Sequence, residues 1–251
     1  MPDIDPRASE QPDDPAIPSG DTLDTTSLLL ENMDPDNQHR VSLILDEFVR
    51  GFRFIQNHSH RSVSFFGSAR TPETDADYQH AQRLAGRIVT ELEYSIVTGG
   101  GPGIMEAANR GACEENGASL GLTIQLPREQ ATNKYVRESI DFHYFFVRKV
   151  LLAFSAEAYV FFPGGFGTMD ELFELVTLIQ TKKIKRVPIF LVDHGYWRNL
   201  EAFIRENLLE RGTISPEDMD ILTITDDDDA IIDAIRSAPV QRGVKLTKHD
   251  L

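Results

Sequence analysis

Residues 161–171 read FFPGGFGTMDE. An apolar run ends in a proline and three glycines, and a helix-like pattern then opens with acidic residues in its first turn. A turn of this kind brings bare backbone N–H groups close to a phosphate at a helix N-terminus. It also places the carboxylate of Glu171 beside the bound group. The stretch therefore predicts a strand, a tight turn and a helix, with a site for a phosphorylated small molecule at the turn.

Short apolar segments alternate with helix-like segments along the chain on both sides of this stretch. The predicted strands are 62–66, 95–98, 119–124, 158–162, 187–192 and 221–224. Strands that are short, continuous and apolar are typical of a parallel sheet covered on both faces, with right-handed crossover connections. We expect an α/β fold, namely a single doubly wound Rossmann-like domain with a parallel sheet of about six to seven strands flanked by helices.

The two ends of the chain differ in composition from the middle. Residues 1–38 are rich in aspartate and proline, and such a segment cannot bury enough apolar surface to offset its ordering entropy. We expect an acidic disordered tail at 1–38, the catalytic domain at 39–240 and a short C-terminal tail at 241–251. The N-terminal tail is interpreted as solubilising, and a regulatory or partner-binding arm is the alternative.

The overall composition excludes several classes of partner. The net charge of the 251 residues is −15, whereas a nucleic-acid-binding surface usually needs a basic patch. No apolar run approaches the ~20 residues of a membrane helix, and the first residues lack the apolar segment of a signal peptide. The single cysteine, Cys113, fits a reducing compartment. We expect a cytoplasmic protein that binds neither nucleic acid nor membrane.

Three of the predicted strand ends carry glycine, at Gly67-Ser68, at 99–103 and at 164–167. In an open parallel sheet, ligands bind at the carboxyl ends of the strands. Each loop by itself is also explained as a tight turn, because turns need glycine for backbone reasons alone. Two glycine-dense loops in one sheet favour a shared phosphate or nucleotide crevice. The chain contains neither G-x-G-x-x-G at 99–104 nor a P-loop motif, so dehydrogenase and P-loop functions lose their main sequence support.

Glu171 is the best catalytic candidate of the sequence. Acidic residues also favour the first turn of a helix through the macrodipole, and we assign that part to Asp170. Arg148 and Lys149 follow an aromatic run at 142–146. They are interpreted either as a cationic helix face or as groups that meet a phosphate or a sugar, since guanidinium binds such groups in a bidentate fork.

With these residues in view, the chain resembles the LONELY GUY family, often labelled "lysine decarboxylase-like". The hallmark of that family, P-G-G-x-G-T-x-x-E, is met without a mismatch by residues 163–171. Its Arg-Lys pair matches Arg148-Lys149, its Pro-Arg-Glu segment matches 127–129, and its glycine-rich loop matches 99–105. The resemblance covers residues 60–210. The chain departs from plant members in its acidic N-terminal extension and in Glu106, where they carry glycine.

The resemblance implies a Rossmann-like homodimer that hydrolyses nucleoside 5′-monophosphates to a free base and ribose 5-phosphate. Cytokinin riboside monophosphates and AMP are the typical substrates of the family. By position, Arg148 and Glu171 would be the catalytic pair, and no metal or other cofactor is expected. The residues expected to bind the substrate are Ser68, Gly100, Gly101, Gly103, Glu129, Lys149, Gly164, Gly165, Phe166, Gly167, Thr168 and Thr177.

The chemistry of N-glycoside cleavage agrees with these residue types. Positive charge develops on the ribose, and a carboxylate beneath the sugar stabilises it and can orient a water molecule. We expect Arg148 to depress the pKa of Glu171 and keep it ionised. A non-catalytic carrier of a nucleotide or cofactor is the alternative function, because such glycine loops can also bind without cleaving.

Overall fold

The structure, a computed structural model, describes residues 33–58, 61–125 and 131–238. By its internal contacts the chain divides into one unit at Ile44–Gly243, which contains all the described strands, and a second unit of Met1–Leu43 with Val244–Leu251. Of the second unit, only residues 33–43 are described. There helix α1 begins at Pro35, inside the segment predicted as tail, and Asp34 accepts a hydrogen bond from the Asn37 N–H at 3.1 Å. The domain limits at 38 and 240 stay predictions.

The described strands form one sheet of seven parallel strands in the order β4-β3-β2-β1-β5-β6-β7. The strands are β1 Ser62–Phe66, β2 Ser95–Thr98, β3 Ser119–Ile124, β4 Glu138–Phe142, β5 Ala158–Phe161, β6 Ile189–Leu191 and β7 Leu222–Ile224. The α-helices are α1 Pro35–Asn57, α2 Ala76–Leu92, α3 Ile104–Glu114, α4 Phe145–Phe154, α5 Phe166–Gln180, α6 His194–Phe203 and α7 Asp228–Ser237. A π-helical turn, Ile204–Leu209, extends α6, and a 3₁₀ helix, Pro216–Ile221, precedes β7. This architecture confirms the predicted doubly wound fold.

The sheet is buried on both faces, which explains why its central strands are continuously apolar. Every residue of β1, β2 and β5 is buried. Apolar side chains of α2, α3 and α7 form the core on one face, with Leu84, Ile104 and Ile232 among them. Side chains of α4, α5 and α6, together with α1 from Ile44 onward, form the core on the other face. Within the described ranges, none of the helices combines the length and the apolar character that a membrane crossing requires.

The chain order places a crevice at the ends of β1 and β5. From β1 the chain winds outward to β4 and then returns to pair β5 with β1, so the connections leave these two neighbouring strands in opposite directions. Phe66 and Phe161 are partners in the register. Just beyond them, the Ser68 N–H donates to the Pro163 carbonyl at 2.9 Å. The first and third predicted glycine loops therefore meet at the point where an open sheet binds ligands.

One strand and several helix starts differ from the sequence predictions. Strand β4 was not predicted, because its sequence ESIDF is polar and its residues are mostly exposed at the edge of the sheet. Helix α5 begins at Phe166 rather than at residue 169, so Gly167 and Thr168 belong to its first turn. Helix α4 begins at Phe145 rather than at 148. The candidate site residues on these two helices therefore lie within the first two turns, except Thr177, which is further along α5.

Candidate active site

The turn after β5 leads into a helix whose first N–H groups bond to none of the described residues. Gly165 is the N-cap of α5 and supplies no side chain to bond them. The first backbone bond back to the cap comes from the Met169 N–H, which donates to the Gly165 carbonyl at 3.1 Å. The N–H groups of Phe166, Gly167 and Thr168 are thus left for a ligand, at the positive end of the helix dipole. This arrangement suits an anion.

Side-chain contacts hold the shape of this turn. The Thr168 side chain folds back over Gly164, where a Cβ atom would overlap it. The Tyr196 hydroxyl donates to the Gly164 carbonyl at 2.6 Å. Gly164 therefore serves the turn itself, whereas a Cβ built on Gly165 or Gly167 meets no described atom within 4 Å.

The turn opens into a cleft of about 690 Å³ at the carboxyl ends of the strands. Most of the predicted site residues line it: Ser68, Gly100, Gly101, Arg148, Gly165, Phe166, Gly167, Thr168 and Glu171. Gly103 and Gly164 lie in the supporting turns and do not line it. Glu106, in the first turn of α3, is also outside the lining. Glu129 lies outside the described residues.

Glu171 is a buried carboxyl group with a raised pKa. Its side chain is 6% exposed. Burial raises the pKa of Glu171 from 4.5 to about 7, the charges of Lys149 and Arg148 act in the opposite direction, and those of Glu174 and Asp170 reinforce the rise. Arg148 lowers this pKa as predicted, but the expectation that it keeps Glu171 ionised was wrong, because desolvation of the carboxylate outweighs both cations. Glu171 can therefore exchange a proton near neutral pH.

Arg148 reaches the cleft from α4, and its guanidinium lies close to Gly99. Its guanidinium lies 5.0 Å from the centre of the Phe145 ring, and Nη1 lies 3.3 Å from where a Cβ on Gly99 would be. Burial lowers the pKa of Arg148, and the charge of Glu171 counteracts that effect. Its Nε is buried and bonds to none of the residues that the structure describes. A donor of this kind, beside a carboxylate, is available to a substrate oxygen.

Lys149 and Thr177 do not face the cleft. The Lys149 Nζ forms ion pairs with Asp170 at 2.7 Å and Glu174 at 2.9 Å, both on α5. The Thr177 hydroxyl donates to the Phe173 carbonyl of its own helix at 2.7 Å and is exposed. The structure thus places Lys149 between two carboxylates, one on each side of Glu171 in sequence, and the charge of Lys149 lowers the pKa of Glu171.

The sequence did not reveal the side chains that hold the second glycine loop. The Asn133 Nδ2 donates to the carbonyls of Gly100 at 3.2 Å and Gly101 at 2.9 Å, and also to Asn109 Oδ1 at 3.0 Å. The Thr98 hydroxyl donates to the same Asn109 oxygen at 2.6 Å and accepts from the Gly100 N–H at 2.9 Å. This buried network fixes the loop, and nothing local in the sequence marks its members.

Arg70 is a further residue that the sequence reading missed. It lines the cleft two residues after Ser68, and its N–H donates to the Ser68 hydroxyl at 3.0 Å. A cation directly after a glycine-bearing strand end is the signal that could have identified it. Among the residues that the structure describes, no three His, Cys, Asp or Glu side chains group closely enough to hold a metal ion.

Comparison with known proteins identifies a matching family model and several similar proteins. The family model described as "possible lysine decarboxylase" matches residues 105–235, more than half of the chain. A probable cytokinin riboside 5′-monophosphate phosphoribohydrolase of Oryza sativa subsp. japonica is 34% identical, over 62% of this chain and 63% of its own length. A cytokinin riboside 5′-monophosphate phosphoribohydrolase of Rhodococcoides fascians is 28% identical, over 70% of this chain and 90% of its own length. The chain spans just under two thirds of the length of the first plant relatives.

Solved structures share the fold at low sequence identity. A molybdenum cofactor binding protein of Rippkaea orientalis superposes with a TM-score of 0.53 at 19% identity, covering 71% of this chain and 96% of that one. A molybdenum cofactor carrier protein of Chlamydomonas reinhardtii reaches 0.52 at 23% identity, covering 70% of this chain and 96% of that one. At these identities the likeness establishes the Rossmann-like fold alone.

Proposed function

The chain belongs to the family described as possible lysine decarboxylase, and we propose that it hydrolyses the N-glycosidic bond of a nucleoside 5′-monophosphate to the free base and ribose 5-phosphate. The observation that carries this proposal is the buried carboxyl of Glu171, which shares one cleft with Arg148 and with the open N-terminus of α5. The names of the relatives support the same reaction. The decarboxylase wording has no such support, because no described lysine lines the cleft.

The polarity of the cleft sets the orientation of the substrate in this proposal. The 5′-phosphate binds the N–H groups of residues 166–168, and Arg70, which lines the same cleft, adds a positive charge. The ribose then lies over Glu171, one helical turn further along α5, and against Arg148. The base extends toward the second glycine loop, where Met105, Thr123, Ile124 and Thr132 form an uncharged wall. AMP and cytokinin riboside monophosphates both carry a neutral base that suits such a wall.

Glu171 has the properties that the chemical step requires. As the C1′–N bond breaks, positive charge develops on the ribose, and the ionised carboxylate stabilises it. The same carboxylate accepts a proton from the water whose oxygen bonds to C1′, and release of that proton from Glu171 supplies the one that the departing base takes up. A pKa of about 7 lets Glu171 accept and release that proton near neutral pH. Binding of the remote phosphate provides the energy that positions the ribose.

A product assay on a nucleotide panel tests the reaction. AMP, GMP, CMP, UMP and isopentenyladenosine monophosphate are each incubated with the protein, and free base and ribose 5-phosphate are quantified together. We expect equal amounts of both products from at least one adenine-type nucleotide. If no nucleotide is cleaved, the proposal is wrong. Recovery of an intact nucleotide bound to the protein after long incubation would instead support the alternative, a non-catalytic carrier.

We also propose that two copies of the chain associate through an apolar face beside the cleft. Phe145, Phe146, Phe154 and Phe173 are partly exposed, and Phe166 is 96% exposed. Phe145 and Phe166 line the cleft as well, so a partner here would border the site. Light scattering after size exclusion should give twice the chain mass of 28.2 kDa, and Phe173→Glu should reduce it. The chain mass for the unsubstituted protein would contradict the dimer.

We propose separately that the protein works in a reducing, cytoplasmic compartment, because the single Cys113 cannot form an internal disulfide.

A further inference from the structure

Helix α1 carries a buried carboxylate that has no part in the proposed chemistry. Glu47 is 6% exposed, whereas its neighbour Asp46 faces solvent and pairs with Arg50 at 2.7 Å. A buried carboxylate is unfavourable unless hydrogen bonds replace its water. The partners of Glu47 therefore indicate what it stabilises.

Both oxygens of Glu47 bind the start of helix α4. Oε1 accepts from the His143 N–H at 2.7 Å, and Oε2 accepts from the Tyr144 N–H at 3.1 Å. Tyr144 is the N-cap of α4 and makes no side-chain cap of its own. Glu47 thus supplies from another helix the acceptor and the negative charge that a helix N-terminus favours.

Helix α1 also packs closely along the rest of α4. Gly51, one turn after Glu47, is buried, and a Cβ there would overlap the Leu151 side chain. The rings of Phe52 and Phe154 follow, with their centres 6.5 Å apart. Helix α1 is therefore in contact with α4 from its N-cap to its last residue.

The first turn of α4 leads directly to Arg148. The Arg148 N–H donates to the Tyr144 carbonyl at 3.2 Å, so the residue capped by Glu47 is also the acceptor for Arg148. We propose that Glu47 is a positioning residue which, through Tyr144, holds Arg148 in the cleft. Helix α1 is then part of the framework of the site. This inference rests on the proposed function in that it takes Arg148 to contact the nucleotide.

Equilibrium binding of AMP tests the link without requiring turnover. The Glu171→Gln protein serves as the background, and the dissociation constant of AMP is measured by calorimetry. Glu47→Ala should weaken binding by about tenfold, since displacement of a positioned group by about 1 Å can have effects up to 10²-fold. The dissociation constant of Glu47→Gln, which keeps one acceptor oxygen, should lie between that of the background and that of Glu47→Ala. The matched control Asp46→Ala, with the adjacent carboxylate on the same helix, should bind like the background.

The double substitution separates positioning from a general loss of structure. When Arg148→Ala is also present, Glu47→Ala should weaken binding by less than about twofold more, because the group it positions is gone. An equal effect with and without the Arg148 side chain would overturn the inference. If Glu47→Ala does not fold, Glu47→Gln takes its place in the same cycle.

Amide hydrogen exchange provides an arm that needs no ligand. In the free protein, the amides of His143 and Tyr144 should exchange faster in the Glu47 variants than in Asp46→Ala, and unchanged exchange would contradict the capping role. Failure of the proposed function looks different. Wild-type protein would then bind AMP without cleaving it, while the Glu47 effects on binding and exchange remain.

Discussion

The two glycine-dense loops of the site use glycine for different reasons. In the loop after β2, Gly100 and Gly103 have φ of +72° and +69°, and a Cβ on Gly103 would overlap the Ser68 carbonyl. In the turn after β5, a Cβ on Gly165 or Gly167 would meet no described atom within 4 Å, and neither residue has a positive φ. The fold therefore requires glycine at positions 100 and 103, in the loop after β2. At Gly165 and Gly167 it does not, which is the pattern expected where a ligand approaches bare backbone.

This difference separates residues that serve stability from residues that serve binding. The loop after β2 is held by the buried network of Asn133 and Asn109, so its glycines belong to the framework. The turn after β5 ends in N–H groups that bond to none of the described residues, followed by a carboxyl group whose ionised form is disfavoured by burial. We therefore expect substitutions of Gly100 and Gly103 in the loop after β2 to lower the free energy of unfolding. Substitutions of Gly165 and Gly167 in the turn after β5 should affect the reaction.

The largest expected effect is on turnover and concerns Glu171, the carboxyl that follows the turn after β5. Glu171→Gln should lower kcat by about 10²- to 10⁴-fold, because an amide can neither accept the proton of water nor stabilise the ribose charge. Nucleotide binding should survive, since the phosphate site does not include this side chain. Steady-state kinetics with the cleaved nucleotide measure it. Wild-type kcat in this variant would remove Glu171 from the mechanism.

Gly103→Ala should have the largest effect on stability. The strained φ and the overlap with Ser68 together should reduce the free energy of unfolding by about 2–4 kcal/mol. Gly212→Ala is the control, because Gly212 has φ +68° with no described atom near its Cβ position. It should lose only the strain component of about 1 kcal/mol. Urea unfolding distinguishes them, and equal losses in the two variants would contradict the steric role of Gly103.

The raised pKa of Glu171 predicts a gain in stability when its charge is removed. The folded protein binds this proton more tightly than the unfolded chain, so ionisation of Glu171 destabilises the fold as pH rises from 4.5 to about 7. Above that pH, Glu171→Gln should be more stable than the wild type by up to about 3 kcal/mol. The gain should disappear toward pH 4.5. A gain that is independent of pH would indicate a cause other than this ionisation.

Gly167→Ala should affect binding but not folding, because Gly167 lies in the turn after β5. The variant should unfold at the same denaturant concentration as the wild type or slightly higher, since alanine favours a helix by up to about 1 kcal/mol over glycine. Its KM should rise by about tenfold, equivalent to about 1.4 kcal/mol, because the methyl group intrudes on the phosphate site. A normal KM would place the phosphate elsewhere.

The smallest expected change concerns the pH dependence of the reaction. Lys149 lowers the pKa of Glu171, so Lys149→Met should move the rising limb of kcat/KM toward higher pH. The exposed Lys185→Met is the control and should leave the limb in place. If Lys149 instead contacted the substrate, as the family resemblance implied, KM would rise without a shift of the limb.

Much of the fold and part of the site could be predicted from short segments. Residues 158–167 carry the signals of a buried strand and a tight turn within ten positions, and the structure has both. Edge strand β4 escaped prediction because a strand that is mostly exposed needs no apolar run. Arg148 and Glu171 were placed in one cleft, but the sign of the pKa shift at Glu171 was wrong. Charges can be seen in a sequence, whereas the depth at which they are buried cannot.

The sequence by itself determined the alternating α/β order, the glycine turn and the position of Glu171 in the first turns of a helix, because backbone preferences act over a few residues. Only the tertiary structure decided that Glu171 is desolvated, that Lys149 pairs with Asp170 and Glu174, and that Glu47 caps α4 from a helix about a hundred residues away in the chain. These effects depend on which elements pack together. Burial and long-range hydrogen bonds therefore set the chemistry of a site whose outline the local sequence had already drawn.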